Sequence, residues 1–288
     1  MYPDGKWKII EPMSDKFPPA PLLAVVLAPD GVFETSDIWS IMHRQQGGFD
    51  LVIIDQNGGK TAVAAAMARA ALKTETATAE NSVGKIINAL VAQRENPIVV
   101  ITSDRVCPTH DHWLKRLCDP LLRGVAEACG GREIPAPGGN YFIIENLRTR
   151  FPRTGAPTAD CFSMDNCAVK RDTVLRAPFP EGRANDAAAA WMLAYRIDAA
   201  YCTEALVMRQ TLLPVGEVYR QSKLKGEDMA VYGKVPGFIG ALADAARGLA
   251  HDIRFAFSIK KPQFLWYPFL YRPALHFGFY AGGRRGSR

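Results

Sequence analysis

The sequence predicts an α/β protein with a mostly parallel central sheet covered by helices. Short apolar runs rich in β-branched residues alternate with amphipathic or alanine-rich segments, and this alternation is typical of strands and helices that build a parallel sheet. The predicted strands lie at 22–28, 50–55, 74–78, 97–102, 160–170 and 199–208. The predicted helices lie at 34–46, 61–72, 82–94, 109–123, 187–196 and 237–251.

Two of the predicted strands end at an acidic residue. The run Asp-Leu-Val-Ile-Ile-Asp stops at Asp55, and the run Pro-Ile-Val-Val-Ile-Thr-Ser is followed by Asp104. In an open α/β sheet the carboxyl ends of parallel strands share an edge, and ligands bind there. We therefore expect both carboxylates to border one binding crevice. The alternative for Asp104 is that it caps the following helix or starts a turn.

The chain divides into three predicted parts. Residues 1–21 are rich in proline and form an irregular lead-in, residues 22–213 form the α/β domain, and residues 214–288 form a helical extension. Within the α/β domain, residues 124–160 are expected to form long loops that border the site, because they contain paired glycines and several prolines.

The composition is that of a globular protein with a sizeable core, at 48% hydrophobic and 22% charged residues. The net charge of +6 suits a phosphate-bearing ligand, nucleic acid or an anionic membrane surface. No apolar stretch reaches the length of a spanning helix, and no secretory signal begins the chain. The six cysteines form no C-x-x-C pair, which favours reduced thiols and a cytoplasmic location.

Aromatic residues are concentrated near the C-terminus. Ten of the 28 aromatic residues lie between Phe255 and Tyr280, and lysines and arginines flank them. Aromatic rings beside cations are typical of a membrane–water interface, so we expect peripheral association with a membrane. The alternative is that these rings extend the core. No recognised motif indicates nucleic-acid binding.

Two motifs that suggest ligand sites do not meet their full patterns. A phosphate-binding reading of Gly-Gly-Lys-Thr at 58–61 fails because Ile54 stands where the first glycine of a P-loop belongs. Cys107, His110 and His112 have no second half at zinc spacing, so we expect the histidines to begin a helix.

Asn185 and Asp186 stand directly before a predicted helix. Both residue types are preferred at a helix N-cap, which is the structural explanation. The functional explanation is that a carboxylate at this junction faces the crevice as a general base. The spacing alone does not decide between them.

Four segments together resemble family 2 glycosyltransferases with the GT-A fold, particularly bacterial polysaccharide and rhamnosyltransferase-like members. In chain order they are FDLVIIDQNGG, ENSVGKIINALVAQRENPIVVITSD, SDRVCPTHDHWLKRLCDPLL and DCFSMDNCAVKRDTVLRAPFPEGRANDAAAAWMLAYR. The resemblance covers roughly residues 22–235. It implies a GT-A-like nucleotide-sugar-binding and catalytic domain.

The resemblance also implies roles for individual residues. Asp55 would contact the base or ribose of a nucleotide sugar, and Lys85 would lie on the phosphate side. Asp104 would be the acid of the metal motif, binding Mg²⁺ or Mn²⁺ together with the donor. Asp186 would be the general base that activates the acceptor.

The sequence departs from the family pattern at three places. Thr102 stands where the metal motif has its leading acid, and Asn185 replaces the first acid of a Glu-Asp pair. The segment Met208-Arg209-Gln210 stands after the last strand, where a histidine is often found. The resemblance implies an inverting glycosyltransferase that moves a sugar to a saccharide or lipid-linked acceptor at the inner membrane surface. The substitutions at Thr102 and Asn185 motivate an alternative, a weakly active or inactive nucleotide-sugar-binding scaffold. A nucleotidyltransferase would need a glycine-rich first turn, which Pro-Asp-Gly at 29–31 does not supply.

Overall fold

A computed structural model describes most of the chain, and every structural statement below concerns the described residues. These are 8–9, 22–28, 44–45, 49–55, 73–76, 82–137, 141–154, 161–181, 188–209, 215–230, 235–262 and 265–286. The predicted helices at 34–46 and 61–72 lie almost entirely outside them, and the Gly-Gly-Lys-Thr segment lies wholly outside.

The chain falls into two compact units. The first comprises residues 1–139, 143–181 and 188–210, and the second comprises residues 140–142, 182–187 and 211–288. The sequence predicts a domain boundary between residues 213 and 214. The division into compact units does not test that boundary, which stays a prediction.

Nine strands of the described residues form one sheet in the first unit. They are β1 (Lys8–Ile9), β2 (Leu22–Ala28), β3 (Phe49–Asp55), β4 (Lys73–Thr76), β5 (Ile98–Ser103), β6 (Val106–Pro108), β7 (Ala128–Pro135), β8 (Asn166–Lys170) and β9 (Ala199–Arg209). Their order is β1-β9-β7-β8-β5-β2-β3-β4, and β6 pairs with β9. All neighbours are parallel except those of β8 and β6. The predicted mostly parallel α/β sheet is confirmed.

Eight helices occur in the described part of the chain. They are α1 (Val83–Gln93), α2 (Trp113–Leu122), α3 (Tyr141–Arg150), α4 (Arg171–Arg176), α5 (Ala188–Ala194), α6 (Val215–Ala230), α7 (Phe238–Ser258) and α8 (Trp266–Gly286). The first of them follows the predicted 3.6-residue period, because its apolar positions Ile86, Ile87, Leu90 and Val91 are buried. In α2, Trp113, Leu114 and Leu117 join the core beside the sheet.

The prediction of long loops over 124–160 is wrong at 128–135 and at 141–150, which form β7 and α3. The paired glycines of this segment are typical of a turn, and the loop prediction was based on them. In the structure they permit close packing instead. A Cβ on Gly131 would lie 2.5 Å from the Ala205 carbonyl oxygen and 2.4 Å from the Asn166 side chain. Glycine in a strand often marks such a close approach. The register shifts between Gly131 and Arg132.

The C-terminal prolines do not prevent helix formation. Pro268 lies in the first turn of α8, where its missing N–H costs little, and Pro273 lies inside the helix. A helical C-terminal extension was predicted and is confirmed. Among the described helices, none has both the length and the apolarity that crossing a bilayer requires.

Candidate functional site

The backbone brings the positions of Asp55 and Asp104 to the same edge of the sheet. Asp55 ends β3 opposite Ala28 of β2, and Ser103 ends β5 opposite Leu27 on the other side of β2. Asp104 is therefore level with Asp55, two strand spacings or about 10 Å away. The side chain of Asp55 is outside the described part.

Asp104 lies in a tight turn between β5 and β6 and is 5% exposed. The turn is held by the hydroxyl of Ser103, which accepts a hydrogen bond of 3.3 Å from the Arg105 N–H. One residue earlier, the Thr102 hydroxyl donates to the Asp165 carbonyl oxygen at 3.1 Å. Thr102 stands where the resemblance predicts an acid of the metal motif. In the structure its side chain makes a hydrogen bond within the protein.

Lys85 lies in the first turn of α1, and its side chain is exposed. The N-cap residue of this helix is Ser82, whose hydroxyl accepts from the Lys85 N–H at 3.4 Å. Because α1 lies between two strands of the same direction, β4 and β5, its N-terminus is at the carboxyl edge of the strands. Lys85 is thus on the edge that carries Asp104.

The Phe-Pro-Glu turn at 179–181, which lies in the fourth segment of the resemblance, is hydrogen-bonded to α1. The Asn88 side chain donates to the Phe179 carbonyl oxygen and accepts from the Phe179 N–H, both at 2.9 Å. A Cβ on Gly84 would lie 2.0 Å from the Pro180 carbonyl oxygen, so only glycine fits there. These contacts explain why an Asn/Gly-rich helix and a Phe-Pro turn occur together in this sequence.

Asp186 itself lies outside the described residues, so its position is not part of the observed geometry. The chain on both sides is well anchored. Beyond it, the Trp191 indole N–H donates to the Ala177 carbonyl oxygen at 3.0 Å, and its ring centroid lies 4.4 Å from that of Phe179. The start of α5 and the Phe-Pro turn are therefore packed against each other.

A buried charge cluster that the sequence did not reveal lies next to the Asp104 turn. The guanidinium of Arg209, at the end of β9, forms ion pairs with Glu133 of β7 and with Asp165, which precedes β8. Both carboxylates are at most 5% exposed. Arg209 is also opposite Val106 of β6, so it joins four segments of the sheet.

Electrostatics keep Arg209 charged at this position. Burial alone would lower the pKa of the guanidinium, but the negative charges of Glu133 and Asp165 outweigh burial and raise it above its usual value. The only sign of this charge cluster in the sequence is Met-Arg-Gln at 208–210, which stands where the resemblance predicts a histidine. Its carboxylate partners are 76 and 44 residues away along the chain.

We expect Arg209→Met to lower the free energy of unfolding by about 3 kcal/mol, because it leaves two buried carboxylates without their cation. Arg209→Lys keeps the charge but loses the planar guanidinium that contacts both carboxylates. It should therefore lower the free energy of unfolding by less than Arg209→Met does. Urea denaturation of the three proteins measures both differences. Unchanged stability of the Met variant would contradict a structural role for the cluster.

Of the motif Cys107, His110 and His112, the two histidines directly precede or cap α2, as the sequence predicted. The His110 ring nitrogen Nε2 contacts the Glu204 carbonyl oxygen at 2.9 Å, and His112 is the N-cap residue of α2. In the described part of the chain, no three His, Cys, Asp or Glu side chains are grouped to hold a metal ion. All six cysteines are buried and form no disulfide, as predicted.

Comparison with known proteins finds relatives by structure alone. No protein-family model matches the sequence, and no curated protein matches it. A mannosyltransferase from Pyrobaculum calidifontis, in complex with GDP-Man and Mn²⁺, is 15% identical with a TM-score of 0.53, over 90% of this chain and 73% of that chain.

Two further solved structures have similar scores. The glucosyl-3-phosphoglycerate synthase from Mycobacterium tuberculosis, in complex with Mn²⁺, UDP-glucose and phosphoglyceric acid, is 16% identical with a TM-score of 0.52, over 76% of this chain and 81% of that chain. S. aureus TarS 1–349 is 12% identical with a TM-score of 0.51, over 90% of each chain. The chain therefore has the GT-A glycosyltransferase fold.

Proposed function

We propose that this protein is an inverting glycosyltransferase of the family 2, hexosyltransferase-like type. It moves a sugar from a nucleotide-sugar donor to a saccharide or lipid-linked acceptor in surface polysaccharide synthesis. The observation that carries the proposal is the GT-A fold with Asp55 and Asp104 level at the carboxyl edge of the sheet, on either side of β2. Proteins of this fold with TM-scores above 0.5 are found with GDP-Man or UDP-glucose.

Asp104 and the donor diphosphate together suit Mg²⁺ or Mn²⁺. Hard cations prefer oxygen ligands, and Mg²⁺ is commonly held by one or two carboxylates plus substrate phosphates rather than by a full protein cage. A single carboxylate at the end of β5 meets that requirement. The bound ion would neutralise charge that develops on the leaving diphosphate. Asp55 would hold the nucleoside, and Lys85 would attract the phosphates.

Asp186 is the proposed general base. The acceptor hydroxyl oxygen attacks the anomeric carbon from the side opposite the diphosphate, and its proton passes to the Asp186 carboxylate. The bond between the anomeric carbon and the phosphate oxygen breaks, and its electron pair leaves with the nucleoside diphosphate. Attack from the opposite side inverts the anomeric centre.

The alternative function is a nucleotide-sugar-binding scaffold with little or no transfer activity, part of a polysaccharide assembly complex. Two observations favour it. Thr102 is engaged by the Asp165 carbonyl oxygen, and Arg209 is engaged by Glu133 and Asp165. Thr102 stands where the resemblance predicts an acid of the metal motif, and Arg209 lies in the segment 208–210 where the resemblance predicts a histidine. A scaffold would bind the donor without releasing nucleoside diphosphate.

A thermal-shift screen tests donor binding. Purified protein is heated with a panel of UDP-, GDP- and dTDP-sugars, with and without Mn²⁺. A ligand that binds only the folded state raises the melting temperature, by an amount that grows with its concentration over Kd. We expect one donor class to stabilise the protein, and more strongly with Mn²⁺. Absence of a shift with every donor would contradict both the transferase and the scaffold.

The acceptor and the location are also part of the proposal. A lipid-linked acceptor would place the enzyme on the cytoplasmic side of the inner membrane as a peripheral protein. The aromatic and basic residues of the C-terminal unit support this location.

A further inference from the structure

Helix α7 exposes an apolar stripe along its whole length. Its members recur at helical spacing and define the outer stripe: Ile239, Leu242, Ala246, Ala250, Ile253 and Phe257. Ile239 is 81% exposed and Phe257 is 61% exposed. A surface helix normally buries its apolar stripe and turns polar residues to solvent. Here the outer stripe is exposed, except at the partly buried Ile253, in the part of the chain that the structure describes.

The stripe is not the face that α7 uses for packing. The buried residues of this helix are Ala241, Ala245, Asp252 and Ala256, and the centre of this face lies about one-third of a turn from the centre of the outer stripe. This inner face contacts α8, whose Arg272 donates two hydrogen bonds of 2.7 Å to Asp252. The helix is therefore held by one face, and the outer stripe needs a separate explanation.

A row of basic side chains runs beside the outer stripe. Arg247, His251 and Arg254 are exposed and follow one another at helical spacing, and Arg247 also forms an ion pair with Asp244. At the C-terminal end of α7, Lys260 is exposed, and at the start of α8 Trp266, Phe269 and Leu270 are each more than half exposed. Apolar, aromatic and basic side chains are thus neighbours on this unit.

The positive charge of the whole chain is located in the same region. Residues 211–288 contain twelve Lys and Arg against five Asp and Glu, whereas residues 1–210 contain 23 against 24. A second copy of the chain on the outer stripe would bring two basic rows together, and protein interfaces are depleted of charge at their centre. An anionic surface removes this repulsion.

We propose that the outer stripe of α7 docks on an anionic phospholipid surface, with its apolar side chains among the acyl chains and the basic row on the headgroups. The inference deepens the proposed function, because it assigns the peripheral location at the inner membrane to a particular face. The sequence alone suggested a membrane contact through the aromatic residues of segment 255–288. The proposal assigns the contact to α7, a helix that begins at Phe238.

Vesicle sedimentation with the full chain tests the proposal. The probes are phosphatidylcholine vesicles with and without phosphatidylglycerol, at low and high salt. We expect binding to the anionic vesicles alone, weakened by salt. The double variant Leu242→Gln/Phe257→Gln should bind at least about ten-fold more weakly, because two exposed apolar side chains no longer enter the acyl region. Arg254→Gln should bind about five-fold more weakly.

The matched control is Leu175→Gln/Tyr195→Gln, which removes two exposed apolar side chains from the first unit. It should bind vesicles like the wild type. Equal binding by the Leu242→Gln/Phe257→Gln variant, or equal binding of the wild type to neutral vesicles, would overturn the proposal. So would a concentration-dependent dimer that this variant abolishes, because a second copy would then occupy the stripe.

Donor binding separates this proposal from the proposed activity. The stripe variant should keep the wild-type melting temperature and the wild-type response to a donor with Mn²⁺. Loss of vesicle binding with the donor response intact supports the stripe as the membrane contact. A wild type that binds anionic vesicles but no donor would contradict the glycosyltransferase and leave the membrane contact standing.

Discussion

Asp104→Ala is expected to abolish metal-dependent donor binding and to lower transfer by about 1,000-fold or more. A bound divalent ion stabilises developing charge on a leaving group by several kcal/mol, and each 1.4 kcal/mol is worth about tenfold in rate. In the described part of the sheet edge, no cluster of three potential ligands is available to take over. Calorimetric titration with the donor, with and without Mn²⁺, measures the affinity, and product formation measures the rate.

The control for this variant is Asp172→Ala, which removes an exposed carboxylate from the first turn of α4. It should bind the donor and Mn²⁺ like the wild type. Asp104→Asn keeps the shape of the side chain and shows whether charge alone is required. If Asp104→Ala retains the same donor affinity with and without metal as the wild type, the metal role of Asp104 is wrong.

Asp186→Asn is expected to reduce transfer by about 100- to 10,000-fold while leaving donor binding largely intact, since this is the usual contribution of a positioned general base. An amide cannot accept the proton of the acceptor hydroxyl. Steady-state rates of transfer and the donor Kd, measured on the same preparation, separate the two effects. Near-normal turnover would exclude Asp186 as the base.

The same position distinguishes catalysis from helix capping. Asn is as good an N-cap residue as Asp, so Asp186→Asn should leave the melting temperature unchanged under either explanation. Asp186→Ala should lower the free energy of unfolding by about 1 kcal/mol if the side chain caps α5. Asn185→Ala serves as the neighbouring control, because it should affect capping without removing the proposed base.

The parts of the fold that the sequence predicted are those in which a local pattern sets the structure. The strand predicted at 97–102 contains an uninterrupted β-branched run from Ile98 to Thr102, and the observed β5 (Ile98–Ser103) is buried at every residue. Segment 82–94 has both an N-cap serine and a 3.6-residue apolar period, and it forms α1. These signals lie within one element, so no knowledge of distant residues is needed.

The parts that were missed depend on contacts between distant residues. Strand β7 contains Gly131, and only the approach of Asn166 and Ala205 explains why glycine suits a strand there. The ion pairs of Arg209 join residues from three separate strands or strand ends. The outer stripe of α7 has a helical period in the sequence, but an apolar period does not say whether that face is buried or exposed.

Release of nucleoside diphosphate from a panel of nucleotide sugars, with Mn²⁺ and with candidate saccharide acceptors, tests the central claim most directly. The account predicts metal-dependent release from one donor class, acceleration by an acceptor, and strong reduction in Asp104→Ala and Asp186→Asn. Inverted configuration at the transferred sugar would complete the mechanism. Donor binding without any release of nucleoside diphosphate would contradict the glycosyltransferase and favour the scaffold.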